Sequence, residues 1–286
     1  MKVGFIGLGV MGQSMAGHIL DAGYELFVYN RTKSKADNLV ESGAIWLDSP
    51  REVAEQADVV ITIVGYPKDI EEVYYGEQGL FNGAHSDSIF IDMTTSTPSL
   101  AIELAEKSKE RGIGILDAPV TGGDVGAREG RLAVLVGGDE DVLEKARPVI
   151  ESFAASITRF GESGAGQHAK VVNQIMVAGT MLGLAEMLAY AKQADLDLTE
   201  LVDTIGAGAA SNRSLENYGP RIIKKDYSPG FFVKHFVKDL KIALDEAEKM
   251  SLDLPMTQLA HKLYTQLAEI GHADEGTQAI VKLWWD

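Results

Sequence analysis

Lys2-Val3-Gly4-Phe5-Ile6-Gly7-Leu8-Gly9-Val10-Met11-Gly12 is the stretch that decides the fold of this chain. Lys2 to Ile6 is a short apolar run and reads as a buried parallel strand. G-x-G-x-x-G follows from Gly7 to Gly12, and Ser14-Met15-Ala16-Gly17-His18-Ile19-Leu20 then takes helical spacing. Strand, glycine turn and helix in that order form a dinucleotide-binding fingerprint. Gly7 permits the tight turn, Gly9 lets a pyrophosphate approach the backbone, and Gly12 lets helix and strand pack closely. Leu8, Val10 and Met11 complete the loop and are expected at the same cofactor site. The helix N-terminus offers free N–H groups and a positive dipole end to the phosphates.

The second strand bears on which dinucleotide binds. Tyr24-Glu25-Leu26-Phe27-Val28-Tyr29 is β-rich and ends at Asn30-Arg31-Thr32. An NAD site usually places Asp or Glu there to hold the ribose hydroxyls. An acid would repel a 2′-phosphate, whereas a neutral Asn followed by Arg and Thr accepts one, with Arg31 supplying a charge-assisted fork. The expected cofactor is therefore NADP, with NAD possible. The plainer alternative makes Arg31 an exposed loop charge or a platform for the adenine.

With 286 residues, the chain is long enough for two modest domains or one large one, and 45% hydrophobic content supports a real core. It has no cysteine, which excludes disulfides, thiol catalysis and cysteine-bound metal, and suits a cytoplasmic protein. A formal net charge of −16 argues against nonspecific nucleic-acid binding. No charged-then-apolar leader opens the chain, and the most apolar stretch, Ile175 to Ala185, is too short to span a bilayer. The six histidines form neither an H-x-H nor an H-E-x-x-H pair, so no metal site is expected.

Up to about Phe160, strands alternate with helices. Strand-like runs lie at 59–64, 88–92, 114–117 and 132–136, with helical patterns at 51–56 and 98–111. Such alternation implies a mostly parallel, doubly wound α/β sheet. After Gly166 helical patterns take over: 168 to about 194, 198–206, 232–250 and 255–270. The architecture expected is an N-terminal Rossmann-type domain, residues 1–162, and an all-α C-terminal domain for substrate and oligomerisation, residues 163–286, joined by a long interdomain helix. That helix is apolar and rich in small residues, which suits burial between domains or subunits.

Three further motifs stand out: Asp117-Ala118-Pro119-Val120-Thr121-Gly122-Gly123, Gly161 to Gln174 with Lys170 and Asn173 inside it, and Lys238-Asp239-Leu240. Together with Gly7 to Gly12 they resemble the β-hydroxyacid dehydrogenase family, over essentially the whole chain and in order. The resemblance implies an NAD(P)-dependent interconversion of a small hydroxyacid and its aldehyde or keto form. It implies Lys170 as catalytic acid/base, Asn173 as the accompanying amide (with Gln174 the position used in some members), and Thr121, Gly122 and Gly123 as binders of the substrate carboxylate. Lys238 is implied near the cofactor, Thr95 by the nicotinamide ribose and substrate, and Phe231 and Asp239 in the substrate pocket. Thr121 departs from the commoner serine, and its extra methyl would narrow the pocket. The closest-looking branch is that of the glyoxylate/succinic semialdehyde reductases.

The residues make chemical sense by themselves. Hydride arriving at a carbonyl carbon leaves an alkoxide, which an ammonium can protonate. Lys170, Asn173 and Gln174 share a helix face through i, i+3 and i+4 spacing. Gly122-Gly123 leaves backbone N–H groups open to a carboxylate. Plainer readings stand beside these. Lys170 could be a solvated lysine, Lys238 and Asp239 part of an exposed charged face with Lys234 and Lys241, Phe231 a core residue, and Asp117 a capping residue rather than an acid. The function expected is NADP(H)-dependent reduction of a small carboxylate-bearing aldehyde or keto acid by a homodimer or homotetramer. The alternatives are an NAD-dependent 3-hydroxyisobutyrate or other 3-hydroxyacid dehydrogenase, and a non-catalytic NADP-binding sensor or scaffold.

Overall fold

The apolar run that opens the chain becomes strand β1, Lys2–Ile6, and the glycine fingerprint leads directly into helix α1, Gly12–Asp21. The computed structural model describes residues 1–285. By internal packing the chain divides into two units, Met1–Lys170 and Val171–Asp286. The first unit continues β2 (Glu25–Tyr29), α2 (Asp37–Glu41), β3 (Ile45–Trp46), α3 (Pro50–Gln56), β4 (Val59–Thr62), α4 (Pro67–Tyr75), β5 (Ile89–Asp92) and α5 (Pro98–Lys109). Then come β6 (Gly114–Asp117), β7 (Val120–Thr121), α6 (Gly123–Arg128), β8 (Leu132–Gly138), α7 (Glu140–Ile150), β9 (Ala154–Gly161) and the start of α8 (Ala165–Gln193).

Among the described residues, nine strands form one sheet ordered β3-β2-β1-β4-β5-β6-β8-β7, with β9 also paired to β8. Pairing is parallel from β3 through to β6, and β8 runs antiparallel to β6 and β7. The order reverses between β1 and β4, the switch point where a doubly wound sheet opens a crevice at its carboxyl edge. Side-chain alternation assigns the two faces. Val3, Phe5, Val59, Ile61, Ile89 and Ile91 belong to the core shared with α1 and α7, which contribute Met15, Ile19, Leu143 and Val149. Ile6, Val60 and Phe90 belong to the opposite core, shared with α3, α4 and α5 through Val53, Ile70, Tyr74, Leu100 and Leu104. Burial on both faces is why these strands are continuous apolar runs.

The second unit is helical: the rest of α8, then α9 (Leu198–Gly206), α10 (Arg213–Ile223), α11 (Val233–Lys249), α12 (Pro255–Leu267) and α13 (Lys282–Trp285). Its core gathers Ala178, Leu182, Leu188, Val202, Leu215, Phe236, Leu240, Tyr264 and Ile280. Helix α8 has 29 residues and is, by length and composition, long and apolar enough to cross a membrane, contrary to what its central stretch suggests by itself. Core helices share that property, and Ala178, Ala185 and Leu188 of α8 are fully buried in this unit.

The sequence pattern does not mark β3, β7, β9, α2, α4, α6, α7, α10 or α13. Two of these strands have two residues each, and β9 is half exposed along its length. Helices α7 and α10 carry Pro148 and Pro220, and α6 opens on glycine, all of which break the periodic signal. Tertiary packing holds them regardless.

Two buried carboxylates stand side by side where β5 and β6 end, since the register pairs Asp92 with Asp117. Asp92 Oδ1 accepts from the Thr62 hydroxyl at 2.9 Å and from the Thr94 N–H at 3.1 Å. Burial pushes Asp92 from 3.8 up to about 6, partly offset by those hydrogen bonds and reinforced by Asp117. Burial likewise pushes Asp117 from 3.8 up to about 6. Between the ordinary carboxyl value and the raised one, the folded state holds more protons than the unfolded state. The stability these groups contribute is therefore complete below about pH 4 and is lost as pH rises through about 6, by up to ~3 kcal/mol for each. Asp92→Asn keeps an acceptor for both donors and removes the ionisation. Thermal unfolding from pH 4 to 7 should show the parent falling relative to this variant, and parallel pH slopes would contradict the assignment.

Candidate active site

The cofactor half is built at the carboxyl ends of β1 and β2. Gly7 has φ +101°, and a side chain there would overlap the Ile63 carbonyl. A side chain at Gly12 would overlap the Gly7 carbonyl, whereas one at Gly9 would meet open space. The loop is thus closed on its protein side and open where a phosphate would approach, so the residues fit a bound dinucleotide. Gly7 N–H donates to the Tyr29 carbonyl at 3.1 Å. Leu8 N–H donates to Asn30 Oδ1 at 2.9 Å, and Asn30 Nδ2 donates to the Thr32 carbonyl at 2.8 Å. Asn30 therefore braces the glycine loop with its carboxamide. Arg31 and Thr32 are exposed beside it, and Arg31 lies 3.5 Å from Asp69 at the start of α4. Leu8 is fully buried, Val10 is 45% exposed, and Met11 is half-buried.

A second group of candidate residues in the first unit centres on the opening turns of α8. Lys170 is 8% exposed, and its Nζ donates to the Val120 carbonyl at 2.8 Å. That amine is therefore no solvated lysine, and it is held next to Thr121, Gly122 and Gly123. Thr121 ends β7, paired with Ala133 of β8. Gly122 and Gly123 have φ +129° and +66°, a left-handed pair that favours glycine and turns the chain into α6. A side chain at Gly123 would meet open space, which leaves room for a carboxylate beside its backbone.

Asp117 holds the first turn of α8. Its Oδ1 accepts from the Gly164 N–H at 2.7 Å and its Oδ2 from the Gln167 N–H at 2.9 Å. It acts as the cap of the helix that carries Lys170. Thr95 lies in the loop after β5, half-buried between buried Thr94 and Ser96. Gln167 bonds to that loop on both sides of Thr95. The sequence pattern gave Gln167 no role. Its position one turn before Lys170 was visible, but its partners lie more than 70 residues away.

In the second unit, a chain of side-chain contacts joins four residues. Asn173 Nδ2 donates to Gln174 Oε1 at 2.7 Å, Gln174 Nε2 donates to Asp239 Oδ2 at 2.7 Å, and Lys238 Nζ lies 3.1 Å from Asp239 Oδ1. Side-chain exposure is 12% for Lys238 and 2% for Asp239, whereas Lys234 and Lys241 on the same helix are exposed at 40% and 59%. Lys238 and Asp239 thus form a buried pair, not part of a solvated charged face. Phe231 is half-buried and packs on Phe236 with ring centroids 5.4 Å apart.

Residues 2–161 match the family model of the NAD binding domain of 6-phosphogluconate dehydrogenase. Residues 164–284 match that of the NAD-binding of NADP-dependent 3-hydroxyisobutyrate dehydrogenase. An uncharacterized oxidoreductase of Bacillus subtilis is 48% identical, over 99% of this chain and 98% of that protein. The 2-hydroxy-3-oxopropionate reductase of Escherichia coli is 38% identical, over 99% of this chain and 96% of that protein. The solved structure of Mycobacterium tuberculosis 3-hydroxyisobutyrate dehydrogenase with L-serine is 30% identical, with a TM-score of 0.89 over 100% of this chain and 99% of that one. A glycine loop open on its ligand side, a buried lysine held beside a glycine pair, and full-length similarity of this kind make the chain a member of the β-hydroxyacid dehydrogenase family, the NAD(P)-dependent oxidoreductases of small hydroxyacids.

Proposed function

We propose that the chain is an NADPH-dependent reductase of a short aldehyde or keto acid bearing a carboxylate, of the glyoxylate or succinic semialdehyde type, with Lys170 as its general acid/base. The observation that carries this reading is the buried Lys170 amine, held 2.8 Å from the Val120 carbonyl at the edge of Thr121-Gly122-Gly123. The E. coli relative, named a reductase of a small oxo acid, supports the direction.

A nicotinamide dinucleotide, when bound, exchanges a hydride with the carbonyl carbon of the substrate. Gly7 to Gly12 and the start of α1 would hold its phosphates, Arg31 and Thr32 its 2′-phosphate, and Thr95 and Lys238 its nicotinamide end. Asn30 serves the same site by fixing the loop. Thr121 and the N–H groups of Gly122 and Gly123 hold the substrate carboxylate, and Phe231 and Asp239 shape the pocket. As charge develops on the carbonyl oxygen, Lys170 Nζ donates a proton to it, and the neutral amine withdraws that proton in oxidation. The Val120 carbonyl aims the amine, which limits the reorganisation needed at the moment of transfer. Asn173 is the second polar group of the reacting centre, oriented by Gln174.

Oxidation of a 3-hydroxyacid is the second reading. It is favoured by the M. tuberculosis structure, a 3-hydroxyisobutyrate dehydrogenase with L-serine. A homodimer or homotetramer is proposed from α8, where Val172, Met176 and Tyr190 are 67%, 67% and 76% exposed. The cysteine-free chain suits the reducing cytoplasm, the location we propose.

Four expectations follow the residues. Turnover should appear in a panel of glyoxylate, succinic semialdehyde, tartronate semialdehyde and methylmalonate semialdehyde, read as NADPH consumption. Lys170→Ala should lower kcat by about 10²–10⁴-fold while NADPH still binds, and turnover near the parent level would remove Lys170 from the mechanism. NADPH should bind at least ~10-fold tighter than NADH by fluorescence titration, with Arg31→Ala erasing most of the gap. Equal affinities in the parent would refute that preference. A monomeric mass by light scattering would contradict the oligomer.

A further inference from the structure

Gln167 lies one helical turn before Lys170 and is 0% exposed. A carboxamide so buried needs partners for both of its ends. Both ends meet the same loop. Gln167 Oε1 accepts from the Ser96 N–H at 2.9 Å, and Gln167 Nε2 donates to the Thr94 carbonyl at 2.8 Å. The two bonds bracket Thr95. They also fix which way the amide faces, because a flip would set oxygen against oxygen and N–H against N–H.

The bracket is held from both sides. Thr94 Oγ1 accepts from the Val64 N–H at 2.9 Å, and Thr94 N–H donates to Asp92 Oδ1 at 3.1 Å. Gln167 N–H is fastened to Asp117 Oδ2 at 2.9 Å. At Gly166, a side chain would meet the Asp117 and Leu135 carbonyls, so this turn is pressed close against the end of β6 and the middle of β8. The loop presenting Thr95 and the turn presenting Lys170 are therefore two rigid pieces, and the Gln167 side chain joins them.

We propose that Gln167 is a positioning residue for the reaction, setting the placement of Thr95 relative to Lys170 by tying the Thr94–Ser96 loop to the first turns of α8. The proposal rests on the reading of Thr95 and Lys170 given under Proposed function. Gln167 itself need not touch cofactor or substrate. Reaction rates are sensitive to such placement, and a shift of about 1 Å costs up to ~10²-fold.

The test uses the full-length chain and three variants. Gln167→Met keeps the volume and removes both bonds. Gln167→Glu keeps an acceptor for Ser96 and sets a carboxylate oxygen against the Thr94 carbonyl. The third is Thr95→Ala, made singly and combined with Gln167→Met. Positioning predicts that Gln167→Met lowers kcat about 10–100-fold while substrate KM and NADPH affinity stay within about threefold, a split that a general loss of folding would not give. It predicts that the Ser96 amide exchanges its hydrogen at least ~10-fold faster in Gln167→Met, with the Gly164 amide unchanged. In Gln167→Glu, Ser96 should stay protected while kcat falls. The double variant should lose less than the product of the two single losses, because Thr95 is already displaced. Parental kcat in Gln167→Met, unchanged Ser96 exchange, or strictly multiplicative losses would each overturn the proposal. A parent chain inactive on the whole panel would instead refute the functional reading, and Ser96 exchange would still decide whether the clamp exists.

Discussion

Asp117 stands at the end of β6 with both carboxylate oxygens bonded to the backbone of another segment, the N–H groups of Gly164 and Gln167. On that interaction hangs the start of α8, and with it Lys170 and Gln167. A charge in this position is expensive, and burial raises Asp117 to about 6. The bonds it accepts satisfy backbone donors at a helix start, which would otherwise be buried without partners. The carboxylate thus converts a strand end into an anchorage for the helix turn that carries Lys170. Gly137 and Gly166 permit it, because a side chain at either would collide with Asp117.

The same logic of close approach governs the cofactor end. Gly7 and Gly12 are excluded from bearing side chains by the backbone of Ile63 and of Gly7 itself, while Gly9 is free on its open side. Glycine serves a different need at each position: two let protein pack on protein, and one leaves room for a ligand. Asn30 completes the loop from the neighbouring strand. Its carboxamide is engaged there, so discrimination of a 2′-phosphate falls to Arg31 and Thr32 in the proposed reading.

Much of this was legible in the residues. The strand ending at Asp117 has the bounds expected, Leu198–Gly206 is helical as its spacing implies, and the long helix differs from expectation by a few residues at its start. Elements with breakers inside them, such as α7 with Pro148 and α10 with Pro220, were not legible, because packing outweighs local propensity there. At the site, Lys170 could be named from its motif. That it is buried against Val120 could not, nor that Lys238 and Asp239 form a buried pair while Lys234 and Lys241 face solvent. Gln167 was invisible as a functional residue, since a glutamine in a helix carries no signal until its partners are known.

The sequence by itself determined the dinucleotide fingerprint, the alternating α/β texture followed by helices, and the family, because each rests on local spacing or on motifs in order. The tertiary structure decided which of those residues are buried, what each polar group bonds to, and how a strand end, a loop and a helix turn are tied together. Those contacts join residues 47 to 73 positions apart. Their energies come from desolvated hydrogen bonds that exist only once the sheet has brought the segments together.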